Sequence, residues 1–300
     1  MKKEDLEEQF TQDLRQPQYM KTAPPNHYSA IKKKTKSRWA QHTWQLTALP
    51  LLLLIIIPIV MLFLRTTPME LIENLKVEQV GQAIGISLRT TLVSLLVIIL
   101  TGTPLAYLMG RQQFRFKRIV DTMIDLPTVL PPSVAGVALL ITLGRKGLVG
   151  GWLDGLGIHI AFTAIAVVIA QVFIASPFFV RAAAIAFSTV DEEVEQAAQL
   201  DGASRWQIFR FIILPLSRTA LISGGIMSWA RALGEFGATI IFAGNFAGRT
   251  QTMPMAIYLG FEVDLNLALT LSVILLTISF LSILLIKYVT RPGEYDVISV

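Results

Sequence analysis

Six stretches of the chain stay apolar for about 20 residues or more, the length of helix that crosses the hydrocarbon core of a bilayer. They fall near residues 44–64, 84–109, 123–143, 158–179, 212–243 and 265–288, the fifth with polar interruptions. The pattern predicts an all-α integral membrane protein of about six transmembrane helices, because only helices satisfy their own backbone within one apolar segment. Composition agrees: 53% of the 300 residues are apolar and the mean hydropathy is +0.58, too high for a soluble domain of this size.

Basic residues orient the spans. Lys32, Lys33, Lys34, Lys36 and Arg38 precede the first, and Arg111, Arg115, Lys117 and Arg118 follow the second. Arg181, Arg205 and Arg210 follow the fourth, and Lys287 and Arg291 close the sixth, whereas the alternate loops hold only Arg65, Lys76, Arg145, Lys146 and Arg249. The positive-inside rule then puts both termini in the cytoplasm. The net charge of +5 follows from that alternation without a nucleic-acid partner, and contact with anionic membrane lipid is the expected use of the Lys32–Arg38 cluster. Residues 1–42 are polar, contain Pro17, Pro24 and Pro25, and are expected to form a disordered cytoplasmic tail. Residues 43–292 form the transmembrane domain and 293–300 a short cytoplasmic end. No small-residue cleavage site follows the first span at RTTPME, so that span is expected to remain as an anchor.

Catalytic chemistry is sparse. There is no cysteine, and the three histidines, His27, His42 and His159, have no metal-ligand spacing. Neither HExxH nor GxSxG occurs, and no GxxxxGK[ST] phosphate loop is present, so the chain has no means of hydrolysing ATP by itself. A membrane-embedded enzyme would need a convergent acid, base or metal group that this census lacks. An ion-coupled carrier would need buried carboxylates on the spans, where only Asp125 and Glu235 qualify.

The segment 191–215, between the fourth and fifth spans, is different. DEEVEQAAQL has carboxylates in what would be a first helical turn, where the helix dipole favours them. Asp201-Gly202 then breaks the helix, and Ala203-Ser204 can cap another. Small side chains at Ala197, Ala198 and Ala203 leave a knob that a partner protein could grip.

Here the sequence resembles the membrane subunits of binding-protein-dependent ABC importers, which carry a cytoplasmic loop of the form EAA, three residues, Gly, nine residues, Ile, one residue, Leu-Pro. Ala197 and Ala198, Gly202, Ile212, Leu214 and Pro215 match at the full spacing, and Gln196 stands where the motif has Glu. IDLPTVLPPSVAGVALLITLGRKGLVG, RALGEFGATIIFAGNFAGRTQTMPMAIY and GTPLAYLMGR resemble the molybdate permeases, with tungstate and sulfate or thiosulfate permeases close behind. The resemblance implies a type I importer permease fold in the bacterial inner membrane. It also implies a homodimer, two ATP-binding subunits that use ATP and Mg, and an extracytoplasmic binding protein that delivers a tetrahedral oxyanion, most simply molybdate. No cofactor is expected on this chain. The 191–215 loop becomes the coupling helix that docks on the ATPase.

Candidates for the translocation path are the polar groups within the spans, Arg89, Arg231 and Glu235. Arg231 and Glu235 are also spaced for an ion pair along one helix. Pro127, Pro131 and Pro132 break the third span, either exposing amides and Ser133 to a passing anion or merely bending a packing helix. Gly234 and Gly237, with Ala232 and Ala238, read as a close contact at a dimer axis before a substrate contact.

Overall fold

The computed structural model describes the backbone of residues 38–289 and the side chains of residues 47–289, all helical or irregular and without strands among these residues. The tail expected before residue 43 lies outside the described residues up to residue 37, and helix begins at Arg38. The short end at 293–300 lies outside them as well.

Helix α1 (Arg38–Arg65) is apolar enough to span, with a mean hydropathy of 2.9 over Thr47–Arg65. Among the described residues, those up to Ile59 form one unit and those from Val60 onward a second. In that second unit a short helix, α2 (Pro68–Asn74), starts at a capping box in which Glu70 N–H donates to the Thr67 hydroxyl and Thr67 N–H donates to the Glu70 carboxylate.

Helix α3 (Glu78–Arg111) buries one stripe, including Val80, Ala83, Ser87, Thr91, Ser94, Ile98, Gly102, Ala106 and Met109, at the 3.6-residue period. That stripe meets α7 (Ala164–Ser188) and α10 (Arg218–Leu233). Between helices in lipid there is little hydrophobic drive, so small residues and hydrogen bonds do the joining. A polar seam runs through this contact. The Gln171 amide accepts from the Ser94 hydroxyl (2.8 Å) and donates to Thr90 (3.2 Å), Trp229 donates to Thr91 (3.0 Å), and Ser228 donates to the Ala175 carbonyl (2.7 Å). Ile98, Phe179, Phe187 and Ile213 fill the apolar core at one end of the three-helix contact.

The third span is broken. α4 (Lys117–Val129) and α5 (Pro132–Leu143) meet at 116°. Leu130 and Pro131 between them are extended, as the residue before a proline must be, and Pro132 opens α5, where a missing N–H costs nothing. The expected fourth span at 158–179 is displaced to α7. Its first residues are irregular chain ahead of Thr163, whose hydroxyl caps α7 by accepting from the Ala166 N–H, and the helix runs past Arg181, whose charge is paired. A short helix α6 (Gly150–Asp154) precedes this stretch.

After α8 (Glu192–Leu200), the fifth span expected at 212–243 is a broken one: α9 (Arg205–Leu216) and α10 meet at 72°, and α11 (Gly237–Phe242) follows. α9 widens to a π-helical turn over Phe209–Ile213, just ahead of Pro215, which has no N–H to give its ladder. α12 (Met253–Val263) and α13 (Leu265–Val289) finish the bundle. Among the described residues, four helices are long and apolar enough to cross a membrane, or up to six if each bent pair is one span.

Candidate functional site

The segment Asp191–Leu216 is built by local rules. α8 begins with Glu192, Glu193 and Glu195 at the positive end of its dipole. It ends in a Schellman turn: Gly202 has φ +86°, its N–H donates to the Gln199 carbonyl (3.0 Å), and the Ala203 N–H reaches back to Ala198 (2.9 Å). Ser204 caps α9, accepting from the Gln207 N–H, while its own N–H donates to the Gln207 side chain (2.7 Å). Helix, tight turn and helix stand as the sequence indicates.

The directions of the side chains do not all follow expectation. Ala198 and Ala203 turn inward, against the core formed by Ile208, Ile213 and Phe187, so they seat the segment on its own chain and form no part of an outer knob. Ala197, Gln196 and Gly202 face outward. The most prominent apolar group is one the sequence reading passed over: Leu200, 89% exposed at the end of α8, with Trp206 at 64% beyond the turn. Its signal was an apolar residue immediately before Asp-Gly on an otherwise polar helix face. Of the closing element, Ile212 and Leu214 are partly buried and Pro215 is exposed, while the fully buried anchor is Ile213.

One arginine fixes this segment to the bundle, and a second joins two of the bundle's own helices. Arg111, the last residue of α3, ion-pairs with Glu195 and donates to the Val190 carbonyl (2.8 Å). Arg181 on α7 donates to Asp125 (2.6 Å from Nε) and to both the Asp121 carboxylate (2.5 Å) and its carbonyl (3.1 Å), which ties α4 to α7. The two-point fork of Arg181 on the Asp125 carboxylate is the strong kind of charged contact. A groove of about 1230 Å³ runs between the end of α3, including Pro104, Tyr107 and Leu108, and the α8–α9 segment.

The span candidates separate. Arg231 donates to Glu235 (3.0 Å), and the other oxygen of Glu235 accepts the Ala238 N–H (2.8 Å) at the start of α11. Glu235 is only 1% exposed, so it is both the ion-pair partner and a helix cap. With Asp125 held by Arg181, neither carboxylate is free in the way a proton-coupled carrier needs. Gly237 and Ala238 serve contact inside the chain: a Cβ on Gly237 would lie 2.7 Å from Pro132 Cβ, and Gly136 approaches Ala238 as closely. For these two residues the small side chain is accounted for by packing within the chain, whereas Gly234 stays exposed with nothing nearer than 3.8 Å. Ser133 is exposed in the first turn of α5, next to the Gly237 contact. Arg89 lies apart from all of these, on the outer face of α3 with Leu92, Val93 and Leu96, and makes no ion pair among the described residues. No cluster of metal-binding side chains occurs among the described residues.

Comparison with known proteins agrees with this geometry. The chain is similar to the molybdenum transport system permease protein ModB of Escherichia coli K12, 38% identical over 213 residues that cover 70% of this chain and 93% of that protein. It is similar to the probable transport system permease protein NifC of Clostridium pasteurianum, 34% identical over 242 residues, 80% of this chain and 85% of the other. A probable sulfate transport system permease protein of Chlorokybus atmophyticus is 32% identical over 84% of this chain and 89% of its own. In fold, the chain matches a bacterial ABC transporter that imports the acidic polysaccharide alginate, with a TM-score of 0.67 at 17% identity over 84% of this chain and 96% of that one. Residues 102–291 match the family described as binding-protein-dependent transport system inner membrane component. The chain belongs to that family, as a multi-pass membrane subunit of an ABC importer.

Proposed function

We propose that this chain is the membrane subunit of an ATP-driven importer for a tetrahedral oxyanion, with molybdate as the cargo in preference to tungstate or sulfate. The observation that carries the coupling part is the α8–turn–α9 segment, a rigid double-capped projection whose base is clamped by Arg111 and whose tip presents Leu200. Such a projection suits a groove on a separate ATPase: Gln196, Ala197 and Gly202 face the partner, Ala198, Ile212 and Leu214 pack toward the chain's own core, and the exposed Pro215 shapes the end of α9. The anion part draws on the relatives, two of which carry molybdenum and sulfate transport in their names.

The working assembly has two copies of this chain, two ATP-binding subunits that hold the ATP and Mg, and an extracytoplasmic binding protein. Both termini and Gly202 face the cytoplasm, and Lys146 and Asn245 face outward. The importer reading is favoured over an ion-coupled carrier because Asp125 and Glu235 are both occupied by arginines. Reconstituting the chain with its ATPase in liposomes decides the cargo. Molybdate-loaded binding protein is expected to stimulate hydrolysis and uptake, and stimulation by the sulfate-loaded protein alone overturns the molybdate assignment.

A further inference from the structure

The bend between α9 and α10 holds a cavity outside the coupling segment. About 540 Å³ in volume, it lies between the last two turns of α7 and the start of α10, walled by Ala182, Ala186, Thr189, Ser217, Thr219 and Ser223, with no carboxylate in its lining. Ser217 occupies the N-cap position of α10, yet its side chain caps nothing. Its hydroxyl is buried without a partner, in a residue only 4% exposed. The first-turn amides of a helix have no partner within that helix, and α10, at 16 residues, is long enough for its dipole to matter. An orphaned buried hydroxyl beside an uncapped helix N-terminus lacks one thing, an acceptor.

The remaining polar groups narrow what that acceptor is. The hydroxyl protons of Thr189 and Ser223 are already given to the Ala186 carbonyl (2.9 Å) and the Thr219 carbonyl (2.8 Å). The Thr219 hydroxyl makes no hydrogen bond among the described residues. Arg218, exposed at the first position of α10, makes no ion pair among them. The C-terminal carbonyls of α7, which would repel an anion, are partly covered: Ile185 accepts from the Thr189 N–H (3.1 Å) and the Ser188 hydroxyl (2.8 Å). Free donors, a helix N-terminus and an adjacent cation without any carboxylate select an anion over a cation.

We infer that this cavity binds the oxyanion cargo on the permease itself, held by the Ser217 and Thr219 hydroxyls and the first-turn amides of α10. The inference rests on the transport reading for the identity of the anion. Ser217 is also the bend that joins α10 to the arm carrying the coupling segment, so an anion held there contacts the joint between the two.

The test uses the whole permease–ATPase complex in nanodiscs, with a cysteine-free ATPase. The chain itself has no cysteine, so Ala220→Cys is its single thiol, and this substitution leaves both hydroxyls in place. Its alkylation by N-ethylmaleimide is timed in rising molybdate against chloride of equal ionic strength. Molybdate is expected to slow the reaction at Ala220→Cys and not at Phe211→Cys. Adding Ser217→Ala is expected to raise the half-protecting concentration about tenfold, the factor that one charge-assisted hydrogen bond carries. Equal rates in molybdate and chloride overturn the inference. In liposomes, Ser217→Ala with Thr219→Val is expected to slow molybdate uptake about tenfold or more on the same basis while stimulated hydrolysis persists, and wild-type uptake by this variant also overturns it. Wild-type liposomes run alongside separate the two readings: uptake without protection sinks only the cavity assignment, and protection without any oxyanion uptake supports the cavity while sinking the transport reading.

Discussion

Gly202→Val tests the coupling segment most directly. Gly202 sits at φ +86°, and a Cβ placed there meets nothing within 4 Å. The substitution therefore acts through the backbone alone within this chain: a residue with a Cβ in the left-handed region costs about 1–2 kcal/mol, or a factor of about 5–30 in the population of the turn. No core contact is lost, because Gly202 is exposed and the spans insert independently of it. The variant is expected at normal abundance, with ATPase co-purification and molybdate uptake both reduced by about that factor or more, since the branched side chain also enters the docking face. Gly202→Asn separates the two effects, because Asn tolerates the left-handed region and retains the bulk. Strain alone predicts an Asn variant near wild type, and docking bulk predicts one as impaired as Val. Wild-type co-purification and uptake in Gly202→Val would refute the assignment of this turn to coupling.

Leu200→Ser should leave abundance unchanged and weaken ATPase co-purification by the value of one leucine buried on docking, about 1.5–3 kcal/mol, measured as the detergent or salt concentration at which the complex splits. Gly237→Ala, whose methyl meets Pro132 at 2.7 Å, should lower thermal stability by about 1–3 kcal/mol, whereas Gly234→Ala, with nothing nearer than 3.8 Å, should not; equal melting of the two contradicts the intrachain packing. Lys146→Cys should react with an impermeant thiol reagent in intact cells and Gly202→Cys should not, and the reverse pattern inverts the topology. The backbone N–H and then the hydroxyl of Thr67 hold the Glu70 carboxyl below its ordinary pKa. The capping box therefore supports α2 above the unfolded pKa and loses that support as pH falls through the lower, folded value. Hydrogen exchange at the Leu71 and Leu75 amides should rise over that window; Thr67→Ala, which keeps the backbone N–H, should only weaken the pH dependence, and Glu70→Gln should remove it.

Much of the molecule is local and therefore legible along the chain. Hydropathy over about 20 residues marks a span wherever it falls, and the proline pair after Leu130 must break a helix in any surroundings because Pro lacks the N–H and restricts the residue before it. Asp201-Gly202 followed by Ser204 is a stop and a start for the same kind of reason, and the observed turn has the expected form. Short amphipathic or half-length helices such as α2 and α12 escape that kind of reading, because they are too brief for a membrane-length window. What tertiary structure alone decided is direction and partnership. α7 runs past Arg181, beyond the hydropathy limit, where Asp125, 56 residues away, balances the charge. Glu195 became a clamp because α3 delivers Arg111 to it. Ala198 faces inward and Leu200 outward because the core around Ile208, Ile213 and Phe187 lies on one side of α8 only. Gly237 marks a close approach in the sequence, and the 116° bend brings Pro132 of the same chain against it. A small residue or a charge records in the sequence that something approaches closely; which group approaches depends on how distant helices are arranged in space.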